Sequence, residues 1–365
     1  MSRMSRVSTP WQGASATPVH SRVGGGARRG LQGLLVVASS SLLLSLAACS
    51  GGGSSEDASD GVVTVANFAG AGITVPDQLA AKEGFLAKRG LEADFVQVTS
   101  AGTQLAALTS GSIDIAQNAP SQVMAAQQQG QDVRYFCGGV SKAWNVVMVK
   151  QDSSIKTVEP TSWKDGFEAL EGKTFGLDSL GAGQEAYFRS LAATAQVDMD
   201  SINLVAVGTV GEAAATLRSG RVDAIFGYPF VQQSEVAAGD ARVAIDLVNS
   251  GEPLPYHTGY FATKKWLDSN PAIARNFCEA IGEADSYMAD EGNRSDVAAF
   301  LADDFGLEQS VAEQFVGPEG VTSIYSPQLD CEAIDISAKQ AEAANLVPSE
   351  PSIRCADMLW DGIDD

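Results

Sequence analysis

Two stretches of the chain, 109 residues apart, carry one pattern. Residues 108–120 read LTSGSIDIAQNAP and residues 217–229 read LRSGRVDAIFGYP. Leu108, Ser110, Gly111, Asp114 and Pro120 thereby match Leu217, Ser219, Gly220, Asp223 and Pro229. The same offset pairs Val96 and Val98 with Val205 and Val207, Gly102 with Gly211, and Gly72 with Gly181. A helix stop followed by a strand accounts for one such motif, but not for glycines upstream at the same spacing. A constant offset across strands, helix stops and turns predicts two similar α/β lobes.

The elements between these marks alternate. Val62–Phe68 reads as a buried strand, and Thr74 caps a helix expected to run to Gly90 with Pro76 in its first turn. Strands at Ala93–Val98, Ile113–Gln117, Val133–Cys137 and Val146–Lys150 alternate with helices at Gln104–Ser110 and Pro120–Gln129. A linker-like stretch, Gln151–Gly166, separates them from a second series: Thr174–Leu177, Gln184–Ala195, Ile202–Val207, Ala213–Ser219 and Val222–Phe226. Such alternation predicts sheets rich in parallel pairs. After Val248 a strand at Thr258–Thr263 precedes helices at 270–291, 294–305, 308–316 and 336–346. The expected organisation is lobe one from 61–150, lobe two from 151–250, a return to lobe one over 251–316, and a C-terminal extension over 317–365. Crossings near 151–170 and 249–260 would make a two-stranded hinge, with the C-terminal helices on lobe one.

The N-terminal end reads as an export signal. Five arginines and no acids precede residue 49, an apolar stretch runs from Leu31 to Ala48, and Leu46-Ala47-Ala48-Cys49 ends it. Small residues set against a cysteine resemble the bacterial lipobox, which implies cleavage after residue 48 and lipid on Cys49. Residues 49–60, rich in Gly and Ser, would be a flexible tether. The remainder carries 19 basic and 45 acidic residues, a net charge of −26. So negative a surface repels phosphate backbones and excludes nucleic acid as a partner. Four cysteines are left, Cys137, Cys278, Cys331 and Cys355, and an even number outside the cytoplasm points to two disulfides with three connectivities open. A Cys331–Cys355 bridge would clasp the C-terminal tail and leave Cys137 with Cys278. With only His20 and His257 and no CxxC, no metal site is expected.

In open parallel sheets, ligands sit beyond the carboxyl ends of the strands. The repeat maps those loops. In lobe one they hold Phe68, Gly70 and Gly72, then Thr99, Ser100 and Gly102, then Gln117, Asn118 and Ser121. In lobe two they hold Ser179, Gly181, Gly183 and Gln184, then Thr209, then Tyr228. Glycines let a backbone come close to a ligand, and amides at helix N-termini hold negative oxygens without a lysine or arginine. Phe68 and Tyr228 are candidates to enclose an organic body. Trp144 and Asn145, beside the first crossing, are weaker candidates, and Asp114 and Asp223 read as bonding neighbouring backbone amides.

From about residue 61 to 316 the sequence resembles the nitrate/sulfonate/taurine solute-binding proteins of bacterial ABC importers, a family that includes binders of thiamine-pyrimidine precursors. The resemblance rests on LAAKEGFLAKRGLEADFV, LTSGSIDIAQNAP, ALEGKTFGLDSLGAGQEAYF and LRSGRVDAIFGYP. It implies a two-lobed, periplasmic-binding-protein-like α/β fold that closes on a small-molecule solute without chemistry or cofactor. It also implies an ABC permease and ATPase as partners, a monomer, and attachment to the outer face of the cell membrane through the N-terminal lipid. A sulfonate-, taurine- or nitrate-like monoanion is the expected solute, and a neutral pyrimidine or other aromatic heterocycle is the alternative. An enzyme reading fails on missing parts. A related enzyme that makes a thiamine pyrimidine needs a loop histidine and a cysteine-rich segment. Neither those nor a G-x-S-x-G, a P-loop or a G-x-G-x-x-G stands in these loops. A structural envelope lipoprotein without transport is the remaining alternative.

Overall fold

Strand β1 (Val62–Asn67) leads through a 3-10 turn at Gly72–Thr74 into α1 (Val75–Lys82). The structure, a computed structural model, describes residues 61–208, 210–316 and 321–363. The expected signal segment 1–48, the tether with Cys49, and Thr209 lie outside the described residues. After α1 come β2 (Glu92–Gln97), α2 (Ala101–Ser110), β3 (Ala116–Asn118), α3 (Pro120–Gln128), β4 (Val133–Val140) and β5 (Val146–Lys150). The second series is α4 (Trp163–Glu168), β6 (Thr174–Leu177), α5 (Gly183–Thr194), β7 (Asn203–Ala206), α6 (Val210–Arg218), β8 (Ala224–Gly227), α7 (Val231–Ala238) and β9 (Ala241–Asp246). β10 (Thr258–Thr263) then precedes α8 (Lys264–Ser269), α9 (Pro271–Ala289), α10 (Arg294–Phe305), α11 (Gln309–Phe315), α12 (Cys331–Ala343) and α13 (Cys355–Met358).

The repeat is visible in the topology. One sheet has the order β7-β6-β8-β5-β9. Its counterpart is split into β1-β2 and β3-β10-β4, joined by a parallel bridge between Val65 and Ile115, so that it reads β2-β1-β3-β10-β4. Corresponding strands fall at corresponding places in the two orders. Gly111 and Gly220 occupy the left-handed region at φ +77° and +72°, which a side chain would strain. Asp114 Oδ2 accepts from the Thr64 amide at 2.8 Å, and Asp223 Oδ2 accepts from the Thr174 amide at 2.8 Å. The aspartates of the repeat therefore tie the chain entering one strand to its neighbouring strand.

Four expectations about elements need correction. Every antiparallel pair of named strands among the described residues involves β5 or β10, so the sheets are mixed. Strand β5, expected in the first lobe, pairs with β8 and β9 in the second sheet, while β10 returns to lie between β3 and β4. Each half thus lends the other its fourth strand, and the first crossing lies before Val146. The linker-like stretch carries α4, whose Trp163 and Phe167 are buried. The helix after Thr74 stops at Lys82, because Gly84 turns the chain at φ +73° and a 3-10 turn follows at Ala87–Arg89.

The apolar periodicity of β5 shows how the second sheet is sandwiched. Val147 and Val149 pack with Trp163, Phe167, Phe175, Phe188 and Phe226 on one face. Val146 and Met148 pack with Ala213, Leu217, Ile225 and Val231 on the other. The first half packs β1 and β4 against α1 and α9. Cys137 on β4 is bonded to Cys278 on α9, and Cys331 is bonded to Cys355, linking the first turns of α12 and α13. Helix α12 begins five residues earlier than expected and packs on both α3 and α5, one from each half.

Candidate functional site

A cavity of about 230 Å³ lies where the strand-to-helix loops of both halves converge. Pockets that hold drug-sized ligands run from roughly 300 to 1,000 Å³, so this one suits a small solute. Of the residues expected from the repeat, Phe68, Gly72, Thr99, Ser100, Gln117, Asn118, Ser121, Ser179, Gly183, Gln184 and Tyr228 line it. Gly70, Gly102 and Gly181 are not among its lining residues. Gly181 sits at φ +78° with open space where a side chain would point, so its role is the turn and not a close approach to the cavity.

Several polar groups expected to face a ligand are engaged in shaping the loops instead. Ser100 Oγ accepts from the Thr103 amide at 3.2 Å and caps α2. Asn118 Oδ1 accepts from the Ala119 amide at 2.8 Å, while its Nδ2 donates to Gln104 Oε1 at 2.9 Å. Gln184 Oε1 accepts from the Asp178 amide at 3.0 Å, and Glu185 Oε2 accepts from the Gly181 amide at 2.7 Å. The chain's own oxygens have taken these amides.

Five lining groups hold buried polar atoms without a partner among the described residues: Gln117 Oε1, Ser121 Oγ, Trp144 Nε1, Asn145 Oδ1 and Tyr256 Oη. A buried polar atom left unpaired costs about 1–3 kcal/mol. Five around one cavity suit a site for a polar solute. Gln117 Nε2 donates to Thr258 Oγ1 at 3.2 Å, which fixes the amide. Trp144 and Asn145, the weaker candidates from sequence, thus stand in the wall. Tyr256, Tyr325, Ser337 and Gln340, which no sequence motif marks, also line the cavity. The last three come from the C-terminal segment, and Tyr325 donates its hydroxyl to the Gly72 carbonyl at 2.6 Å. Only the assembled fold brings them there.

The wall is acidic. Asp178 and Glu212 line it, and no lysine or arginine does. Burial pushes the Asp178 carboxyl up to about 6, against the opposing pull of the Ser179 amide, and pushes His257 down to about 4, so that it is neutral at pH 7. No cluster among the described residues could hold a metal ion.

A carboxyl whose folded value lies above its unfolded one favours folding at low pH, and that advantage is lost as pH rises from about 4 to about 6. Above that range the ionised Asp178 burdens the folded state. Asp178→Asn should therefore stabilise the ligand-free protein by about 1–3 kcal/mol at pH 8 and leave it nearly unchanged at pH 4. Differential scanning calorimetry at the two pH values checks this. Equal effects at both would refute it.

Residues 74–294, more than half of the chain, match the family model described as NMT1/THI5 like, in keeping with the resemblance read from the sequence. No curated protein sequence matches. Among solved structures, the alkanesulfonate-binding protein SsuA of Xanthomonas axonopodis pv. citri, bound to MOPS, superposes with a TM-score of 0.67 at 18% identity, covering 83% of this chain and 99% of that one. The periplasmic nitrate-binding protein NrtA of Synechocystis gives 0.68 at 13% identity, covering 83% and 86%. The desulfurization enzyme DszB gives 0.60 at 16% identity, covering 83% and 97%. At these identities the likeness establishes the fold, that of periplasmic binding proteins.

Proposed function

The chain belongs to the NMT1/THI5-like family, and we propose that it is the solute-binding component of an ABC importer. The observation that carries this reading is the cavity between the halves, with five buried polar atoms in its wall that have no partner among the described residues. In this role the two halves are lobes that close on a small organic solute and present it to a permease driven by an ATPase. Binding favours closure because the solute gains contacts with both lobes only when they meet. No covalent step belongs to the role.

The proposal extends to the N-terminal end. Export, cleavage before Cys49 and lipidation of its thiol would hold a monomer on the outer face of the membrane. Cys49→Ala should release the protein or leave its precursor uncleaved. Metabolic labelling that finds no lipid on the wild type would refute the anchor.

Of the two solute classes expected from sequence, the wall supports an aromatic heterocycle over a sulfonate- or nitrate-like monoanion. The aromatic rings of Phe68, Trp144, Tyr187, Tyr228 and Tyr256 line the cavity, and its charged lining residues are acids. A thermal-shift screen of the purified protein against sulfonates, nitrate, pyrimidines and aromatic acids tests the receptor reading. A saturable rise in Tm with at least one class supports it. Silence throughout would favour a structural envelope lipoprotein.

A further inference from the structure

The duplicated loops are not equivalent in charge. The 109-residue offset sets Asp178, just past β6, against Ala69 in the loop past β1. The cavity therefore receives a carboxylate from one half alone. Asp178 Oδ1 accepts from the Ser179 amide, while Oδ2 makes no hydrogen bond among the described residues. Gln117 Oε1 and Asn145 Oδ1 add two unpartnered acceptors, on residues each only 2% exposed.

An anionic solute would need donors, and several of the loop amides that could supply them are committed, with Trp144 Nε1 left as a buried side-chain N–H donor without a partner among the described residues. The amides of Thr103, Ala119, Ser179, Gly181 and Phe230 donate to Ser100, Asn118, Asp178, Glu185 and Gln233. Glu212 adds a second carboxylate at the cavity wall. A positive, N–H-bearing head meets acceptors here, and a flat body meets the rings of Tyr187 and Tyr228, which also attract a cation.

We infer that the solute is a small organic monocation, an amidinium or ammonium head on an aromatic body, with Asp178 as its counter-charge. This rests on the receptor reading above and sharpens it. The elevated proton affinity of Asp178 in the ligand-free protein agrees with a carboxylate that lacks its partner.

Three isosteric probes separate charge from shape: benzamidine, benzamide and benzoate, with ethanesulfonate as a fourth. Each is titrated against the purified protein by tryptophan fluorescence and calorimetry at pH 7.5. Benzamidine should bind at least about tenfold tighter than benzamide, the margin of one charge-assisted contact, and benzoate and ethanesulfonate should not bind. Asp178→Asn should bring the ratio of benzamidine to benzamide affinity down to within about twofold. Benzoate or ethanesulfonate binding better than benzamidine would overturn the inference and leave the receptor reading intact. A benzamidine preference that survives both Asp178→Asn and Glu212→Gln would overturn the counter-charge. Silence with all four probes overturns the inference, and the receptor reading falls only if the broader screen is silent too.

Discussion

Replacing Cys137 and Cys278 together by serine should lower the stability of the protein by about 5 kcal/mol. The bond joins residues 141 apart, with Cα atoms 5.4 Å from each other, and a loop of that length confers about that much by restricting the unfolded chain. It ties β4, at the edge of the first half's sheet, to α9, the long helix packed on it. The Cys331–Cys355 bond spans only 24 residues and should contribute about 3 kcal/mol by the same relation. Denaturant unfolding of the two double variants checks both the size and the order of the effects. A loss below about 1 kcal/mol for Cys137 with Cys278 would contradict the assignment of that bond as the main covalent brace.

The repeat made the overall plan legible because it marks places where the backbone has little choice. Gly111 and Gly220 stop helices in the left-handed region, and Asp114 and Asp223 hold strand to strand. The exchange of β5 and β10 was not legible. An apolar run such as Val146–Val149 reports burial on both faces but not which sheet does the burying. The break after α1 was hidden in the same way, since Gly84 reads as tolerable within a helix until its positive φ is seen.

The candidate site divides along a similar line. The strand-to-helix loops were identified from sequence, and eleven of the fifteen residues expected there line the cavity, so loop position is set by topology. Their chemistry was less accessible. Ser100, Asn118 and Gln184 look like ligand donors in a linear reading. In the fold each is engaged with a nearby amide: Ser100 caps the first turn of α2, while Asn118 and Gln184 accept from loop amides and so shape the turns. Trp144, Asn145, Tyr256 and Tyr325 reach the cavity from the crossings and the C-terminal segment. No local pattern distinguishes them from core residues.

Gly183→Val should abolish solute capture, by more than about a hundredfold in affinity, without unfolding the protein. Gly183 opens α5 in the second half, and a Cβ there would stand 3.0 Å from the Ala119 Cβ and 3.6 Å from Ser121 Oγ in the first. A single methylene pressed against Ala119 is already too close, and the branched side chain of valine would hold the halves apart. Contacts to the second half would then be lost while each sheet kept its own core. Unchanged circular dichroism together with a lost thermal-shift response is the expected pair of results. A variant that binds normally would move the site elsewhere.

Closure itself is measured by small-angle X-ray scattering of the wild type with and without a saturating solute chosen by the thermal-shift screen. The radius of gyration should fall on saturation in the wild type and stay constant in Gly183→Val. A wild-type value unchanged at full occupancy would contradict a receptor that closes on its solute.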